Sequence, residues 1–204
     1  MKDRMYQLKK ELDEAFLINE DEIASKIKSI GFECSHCARC CKKCYGDNTV
    51  TVFPYEIRSI CRKTGLLPED IVIPTPSPDR DSEGNVHTFE WVLIDKGDCM
   101  FLKKGLCKIY ECRPHICKTY PFYLQYGRLM ISECEGLGGK IAHDESRRMA
   151  ASLKERYISE IKEAILVFDR FRGFKPGGIG NLCVHDSEGE HWIHHPVFER
   201  RKSS

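Results

Sequence analysis

The chain has no apolar run approaching the roughly 20 residues that a helical membrane span requires. Its amino terminus, Met1-Lys-Asp-Arg-Met-Tyr-Gln-Leu-Lys-Lys, lacks the apolar centre of a secretion signal. Without an export signal, disulfide stapling is a poor default outside hyperthermophile cells, and the expected location is cytoplasmic. Net charge is also scarce: 32 Lys and Arg stand against 31 Asp and Glu, a balance of +1. That argues against broad electrostatic binding to nucleic acid or anionic membrane and leaves only a local basic patch open. No Ser/His/Asp or paired-carboxylate arrangement stands out, and internal repeats and low-complexity tracts are missing.

Cysteine, by contrast, is abundant, with 12 in 204 residues. Five fall in the segment Cys34-Ser-His-Cys37-Ala-Arg-Cys40-Cys41-Lys-Lys-Cys44, spaced C-x2-C-x2-C-C-x2-C. His36, Arg39, Lys42 and Lys43 interrupt any apolar face, so these side chains do not read as core filling. Disulfides are awkward at such spacing, because bridged Cα atoms lie roughly 4.4–6.8 Å apart with defined Cβ directions. Two C-x2-C steps sharing a middle cysteine instead offer three sulfurs to one centre, as in ferredoxin-type clusters. Zinc more usually takes one pair here and one pair from elsewhere. Redox-active thiols are the remaining reading.

A second set of cysteines follows: Cys99-Met-Phe-Leu, then Gly105-Leu-Cys107-Lys-Ile-Tyr110-Glu-Cys112-Arg113-Pro114-His-Ile-Cys117-Lys-Thr-Tyr120-Pro121, then Cys134. Together with Phe32-x-Cys34-x2-Cys37-x2-Cys40-Cys41, this resembles the YkgJ-type cysteine-cluster proteins, a family associated with zinc or iron chelation. The resemblance runs from about Phe32 to Gly139, and a related arrangement occurs in flagellin lysine methylases. It implies eight ligands: Cys34, Cys37, Cys40, Cys41, Cys99, Cys107, Cys117 and Cys134. Eight is two sets of four, as two tetrathiolate sites would need. All-sulfur ligation leaves zinc or iron–sulfur, with one or two [4Fe–4S] clusters expected and zinc as the alternative. Cys40 and Cys41 are neighbours and cannot easily point at one small ion, which leaves two centres close together or one larger cluster; the partition among the eight is not legible. The position after Cys37, often glycine in such proteins, is Ala38 here. Cys44, Cys61, Cys112 and Cys183 lie outside the pattern; Cys61 and Cys183 read as bystanders, whereas Cys44 and Cys112 sit close enough in sequence to replace a ligand.

Other residues near the cysteines carry two readings each. Arg113 either pairs with thiolate charge or is a surface arginine at a helix start. Tyr110 and Tyr120 either donate to sulfur or pack, and Pro121 resembles the proline that follows cluster cysteines. Gly136-Leu-Gly138-Gly139 lets backbone N–H groups approach a cluster sulfur or a phosphate, and the absent G-K-[ST] favours sulfur. Gly136, Gly138 and Arg113 are accordingly the candidate cofactor contacts. In the tail, His185, His191, His194 and His195 lie near Cys183; His191-x2-His194-His195 offers imidazoles to a metal, or Trp192-Ile193 and Pro196-Val197-Phe198 form an edge strand.

Periodicity predicts an amphipathic helix over 3–18, with Met5, Leu8, Leu12, Ala15 and Phe16 inward. A second, capped by Asn19 and stopped by Gly31, covers 20–30 with Ile23, Ile27 and Ile30 inward. Further elements are a strand at 49–53, a helix from Pro54 to Thr64 ended by Gly65, a turn and short helix over 66–73, and a Pro-rich loop over 74–82. One strand, with a bend, is read over 86–94. Hairpins turn at Lys103-Lys104-Gly105 and at Tyr126-Gly127, and a short helix starts at Arg113-Pro114. The longest helix covers 144–172, with Ala150, Leu153, Tyr157, Ile161, Ala164, Ile165 and Phe168 inward and Gly173 as its stop. The fold class is α+β, a small metal-stapled domain with short strands and hairpins covered by amphipathic helices. Its expected parts are a helix pair (1–30), a cysteine-cluster domain (31–140) and a long helix with a tail packing on the same domain (141–204).

Three functions compete on these grounds: an iron–sulfur module with a redox or protein partner, a cluster-dependent group-transfer enzyme like the lysine methylases, and a zinc-stapled adaptor.

Overall fold

The computed structural model describes residues 2–75, 79–80, 86–94, 97–171 and 182–193. It is an α+β arrangement with two apolar cores and the cysteine segments lying between them.

Helices α1 (Lys2–Phe16) and α2 (Glu20–Ile30) form as their periodicity requires. The Asn19 side chain accepts from the N–H groups of Asp21 and Glu22, supplying partners for two donors that a helix start leaves open. Gly31 closes α2 at φ +76°, a backbone conformation costly for other residues. Met5, Leu8, Ala15, Ile23, Ala24 and Ile27 are buried. Phe16 departs from the expected stripe: its ring is half exposed and lies 5.4 Å from Lys162 Nζ.

After α2 the chain runs through β1 (Thr51–Val52), α3 (Pro54–Thr64), β2 (Val72–Pro74), β3 (Asp79–Arg80), β4 (Val86–Thr88) and β5 (Trp91–Leu93). The strand β2 takes the place of part of the expected turn and of the first residue of the expected loop. The run 86–94 does not form one strand. Its bend at Phe89-Glu90 transfers the chain between sheets, so β5 sits centrally in the antiparallel sheet β1-β5-β2 while β4 joins another.

Two hairpins follow, β6 (Leu102–Lys103) with β7 (Leu106–Cys107), and, after α4 (His115–Thr119), β8 (Phe122–Gln125) with β9 (Arg128–Ile131). Each turns on two consecutive positive-φ residues, Lys104-Gly105 and Tyr126-Gly127, the geometry that matches strand twist in a two-residue loop. Helix α5 (His143–Phe171) is the longest element, and its expected stop at Gly173 lies outside the described residues. Strands β10 (Leu182–Asp186) and β11 (Gly189–Ile193) complete a second sheet, ordered β11-β10-β4-β3, in which β10 runs parallel to β4.

The first core joins α1, α2, β8 and α5 around Ile27, Phe122, Leu153, Tyr157 and Ile161. The second joins α3 and the β1-β5-β2 sheet around Val52, Ile60, Ile71, Leu93, Phe101 and Ile109. Burying each large aliphatic side chain contributes about 1.5–3 kcal/mol, so both cores are substantial. Along α5 the predicted stripe holds as far as Ile161, and then Ala164 is exposed and Val167 is buried instead. The partner changes there: the end of α5 leaves the helix pair and meets β10, with Glu163 Oε1 accepting from Ser187 N at 2.9 Å. Among the described residues no helix is long and apolar enough to cross a membrane.

Candidate metal centre

The loop that carries Cys34 to Cys44 is tied down at its two ends by different partners. At its start, Glu33 N donates to Gly136 O at 2.9 Å, Gly138 N donates to Gly31 O at 3.0 Å, and Phe32 bridges Leu137. A side chain at Gly136 would meet Glu33 O at 2.3 Å, and one at Gly31 would meet Gly139 O at 2.5 Å. These glycines therefore let two backbones touch. The Phe32 ring packs edge-on against Phe122 at 5.8 Å and anchors this end in the first core.

At its other end, Cys99 N donates to Cys41 O at 2.8 Å, Lys43 N donates to Gly97 O at 3.1 Å, and Lys42 bridges Asp98. The buried Asn48 amide locks this junction by donating to Cys41 O at 3.3 Å and Gly97 O at 3.0 Å. Hairpin register then sets Cys107 opposite Leu102, and Leu102 N donates to Cys99 O. Cys117 is brought in by α4, whose first N–H, from His115, donates to the buried Glu56 carboxylate of α3 at 2.7 Å. The other Glu56 oxygen accepts from Phe53 N at 3.0 Å, so one carboxylate caps α3 and fixes α4.

The thiols form two neighbourhoods that meet at Cys40. Burial, followed by the like charge of Cys37, Cys34 and Cys40, pushes Cys134 up, although Gly136 N donates to its sulfur at 3.4 Å. Burial pushes Cys117 up to about 12, with like charge from Cys99, Cys40 and Cys107 adding to it. Cys107 is raised by burial and by Cys99 and Cys112. Cys40 and Cys41 lie with their sulfurs 4.0 Å apart, where either thiol can donate to the other. Hydrogen bonding from Cys41 pulls Cys40 down to about 7, while bonding to Cys40 and Cys99 pushes Cys41 up. Crowded thiols of this kind resist becoming thiolates together unless a cationic centre compensates them. Cys134 packs against the first core, whereas Cys99 and Cys107 pack against the second.

Arg113 stands within electrostatic range of Cys40, Cys107 and Cys117 and favours the thiolate at each. It is held by Nε donating to Tyr110 O at 3.1 Å and by the Tyr110 ring, 3.7 Å from its guanidinium carbon. Tyr110 thus orients the arginine, and Tyr120 donates its hydroxyl to Glu133 O. Gly138 sits at φ +78° with open space where a Cβ would go. Cys61, on α3, and Cys112 pack against the second core, and Cys44 is exposed. His191 packs on Trp91 and faces Asp186 Oδ2 at 2.9 Å, whereas His194 and His195 lie outside the described residues.

Two residues of the loop, His36 and Ala38, occupy the left-handed region at φ +54° and +58°. The conformation at Ala38 is the physical reason a glycine suits that position. Ala38→Gly relieves roughly 1–2 kcal/mol of αL strain and gives back roughly 0.5–1 kcal/mol in chain entropy. The metal-loaded variant should therefore gain about 0.5–1 kcal/mol in a denaturant titration. A loss of stability would mean that the alanine methyl makes a contact that outweighs its strain.

Residues 33–135, about half the chain, match the CxxCxxCC family model, described as "Putative zinc- or iron-chelating domain". No curated protein and no solved structure gave a match.

Proposed function

Because the chain belongs to this zinc- or iron-chelating family, we propose that it carries two four-thiolate iron–sulfur centres and passes single electrons to a redox partner. One set is Cys34, Cys37, Cys40 and Cys134; the other is Cys41, Cys99, Cys107 and Cys117. The observation that carries this reading is the double anchoring of one cysteine loop. Its start is hydrogen-bonded to the segment holding Cys134 and its end to the segment holding Cys99.

The donor set fits such a group. All eight side chains are sulfur, which suits iron–sulfur or zinc and excludes magnesium and calcium. Three cysteines in a C-x2-C-x2-C run suit a cluster whose cysteines attach to separate irons. When bound, such a cluster supplies one-electron transfer at a potential set by charge, hydrogen bonds to sulfur and solvent exposure. Arg113 adds positive charge beside Cys40, Cys107 and Cys117, and Gly136 N–H donates to Cys134. Both stabilise the more negative, reduced state. Cys34, Cys37 and Cys40 are exposed, so the first set lies where a partner protein can approach it.

Anaerobically isolated protein should be brown from thiolate-to-iron charge transfer and should bleach on reduction by dithionite. Colourless protein with stoichiometric zinc would reverse the assignment in favour of a structural staple.

A further inference from the structure

A separate group of metal-ligating side chains lies in the β11-β10-β4-β3 sheet, outside the eight cysteines of the loop region. Strand β10 pairs in parallel with β4, placing Cys183 directly beside His87. Side chains two apart on a strand share a face, so His185 joins them. The Nδ1 or Nε2 atoms of His87 and His185 and the Sγ of Cys183 all lie within 4.8 Å of one another. His87 Nδ1 and His185 Nε2 are 2.9 Å apart, with ring centroids at 5.2 Å and planes inclined by 23°. All three residues are buried, at 2%, 0% and 3% exposure for His87, Cys183 and His185.

We infer that His87, Cys183 and His185 form a second kind of metal site, taking one zinc-like, borderline-soft divalent ion through two imidazoles and a thiolate. Two imidazoles and a thiol converge at one point in the sheet interior, the donor set and closeness that a borderline-soft ion uses. An ion at about 2.0–2.1 Å from nitrogen and about 2.3 Å from sulfur needs donor atoms about 3.3–3.6 Å apart. The group reaches that spacing by small side-chain adjustments. Mixed nitrogen–sulfur donors select zinc or copper over magnesium or calcium. The three ligands leave the fourth position of a tetrahedral ion to water or another donor. Ring orientation is fixed by neighbours: Phe89 stacks on His185 at 5.4 Å and Trp192 meets His87 edge-on at 5.8 Å. Cys183 and His185 lie beyond residue 135, so the family signature does not include this site.

The test uses the full chain with its iron in place, given one equivalent of cadmium and observed by 113Cd NMR. A resonance in the mixed nitrogen–sulfur region, distinct from the all-sulfur region, is expected. It should vanish in Cys183→Ala while iron and sulfide stay at the wild-type level. His87→Gln should remove it too and serves if Cys183→Ala does not fold. Folded wild-type protein that shows no mixed-donor resonance overturns the proposal, as does a resonance that survives either substitution. Because iron content is read on the same samples, failure of this site and failure of the iron–sulfur centres are distinguishable.

Discussion

Stripping the metal by chelation under anaerobic conditions should abolish amide-exchange protection across residues 31–48 while α5 keeps part of its own. The loop has little apolar support: Cys34, Cys37, Cys40 and Cys44 are exposed, and no side chain between Glu33 and Asp47 is buried. Its order rests on backbone contacts at its ends and, on the present reading, on ligand bonds between them. A structural zinc contributes on the order of 10–16 kcal/mol in small finger peptides, so loss of comparable bonds exceeds what the terminal hydrogen bonds can hold. Helix α5 differs because Ala150, Leu153, Tyr157 and Ile161 are buried in the first core. Unchanged protection over 31–48 in the apoprotein would show that the metal does not order the loop.

The second large effect separates the two proposed sets of ligands. Cys34→Ser, Cys37→Ser, Cys40→Ser and Cys134→Ser should each remove about half of the metal, and Cys41→Ser, Cys99→Ser, Cys107→Ser and Cys117→Ser the other half. Serine keeps the size but replaces a soft anionic donor by a hydroxyl that stays protonated. Double variants are the sharper comparison. Cys134→Ser combined with Cys37→Ser should lose no more than either alone, whereas Cys134→Ser combined with Cys117→Ser should lose nearly all. Cys61→Ser should retain full metal content, since that thiol packs against the second core as a small apolar group. Cys112→Ser should also retain it. Metal analysis of anaerobic samples decides the matter: loss in Cys61→Ser with retention in Cys117→Ser would refute the assignment.

How much of this was legible in the sequence depended on distance along the chain. The Asn19 cap, the Gly31 and Gly65 stops, Pro54 at the start of α3 and both hairpin turns follow from a few adjacent residues, and each forms as expected. The division of 86–94 between two sheets was not legible, because it depends on β10 arriving from almost a hundred residues downstream to pair with β4. His87 was missed for the same reason: nothing near it in sequence marks it as a partner of Cys183. Cysteine spacing points to ligation, but the proposed partition into sets depends on which segments meet each end of the loop. Proximity in sequence groups the tail histidines, yet strand alternation turns His185 toward His87 and leaves His191 facing Asp186.

The most direct test of the two-centre reading is the iron and acid-labile sulfide content of protein purified without exposure to oxygen. Two four-cysteine [4Fe–4S] centres predict about eight iron and about eight sulfide per chain. Stoichiometric zinc with no sulfide, in protein never exposed to oxygen, would contradict it.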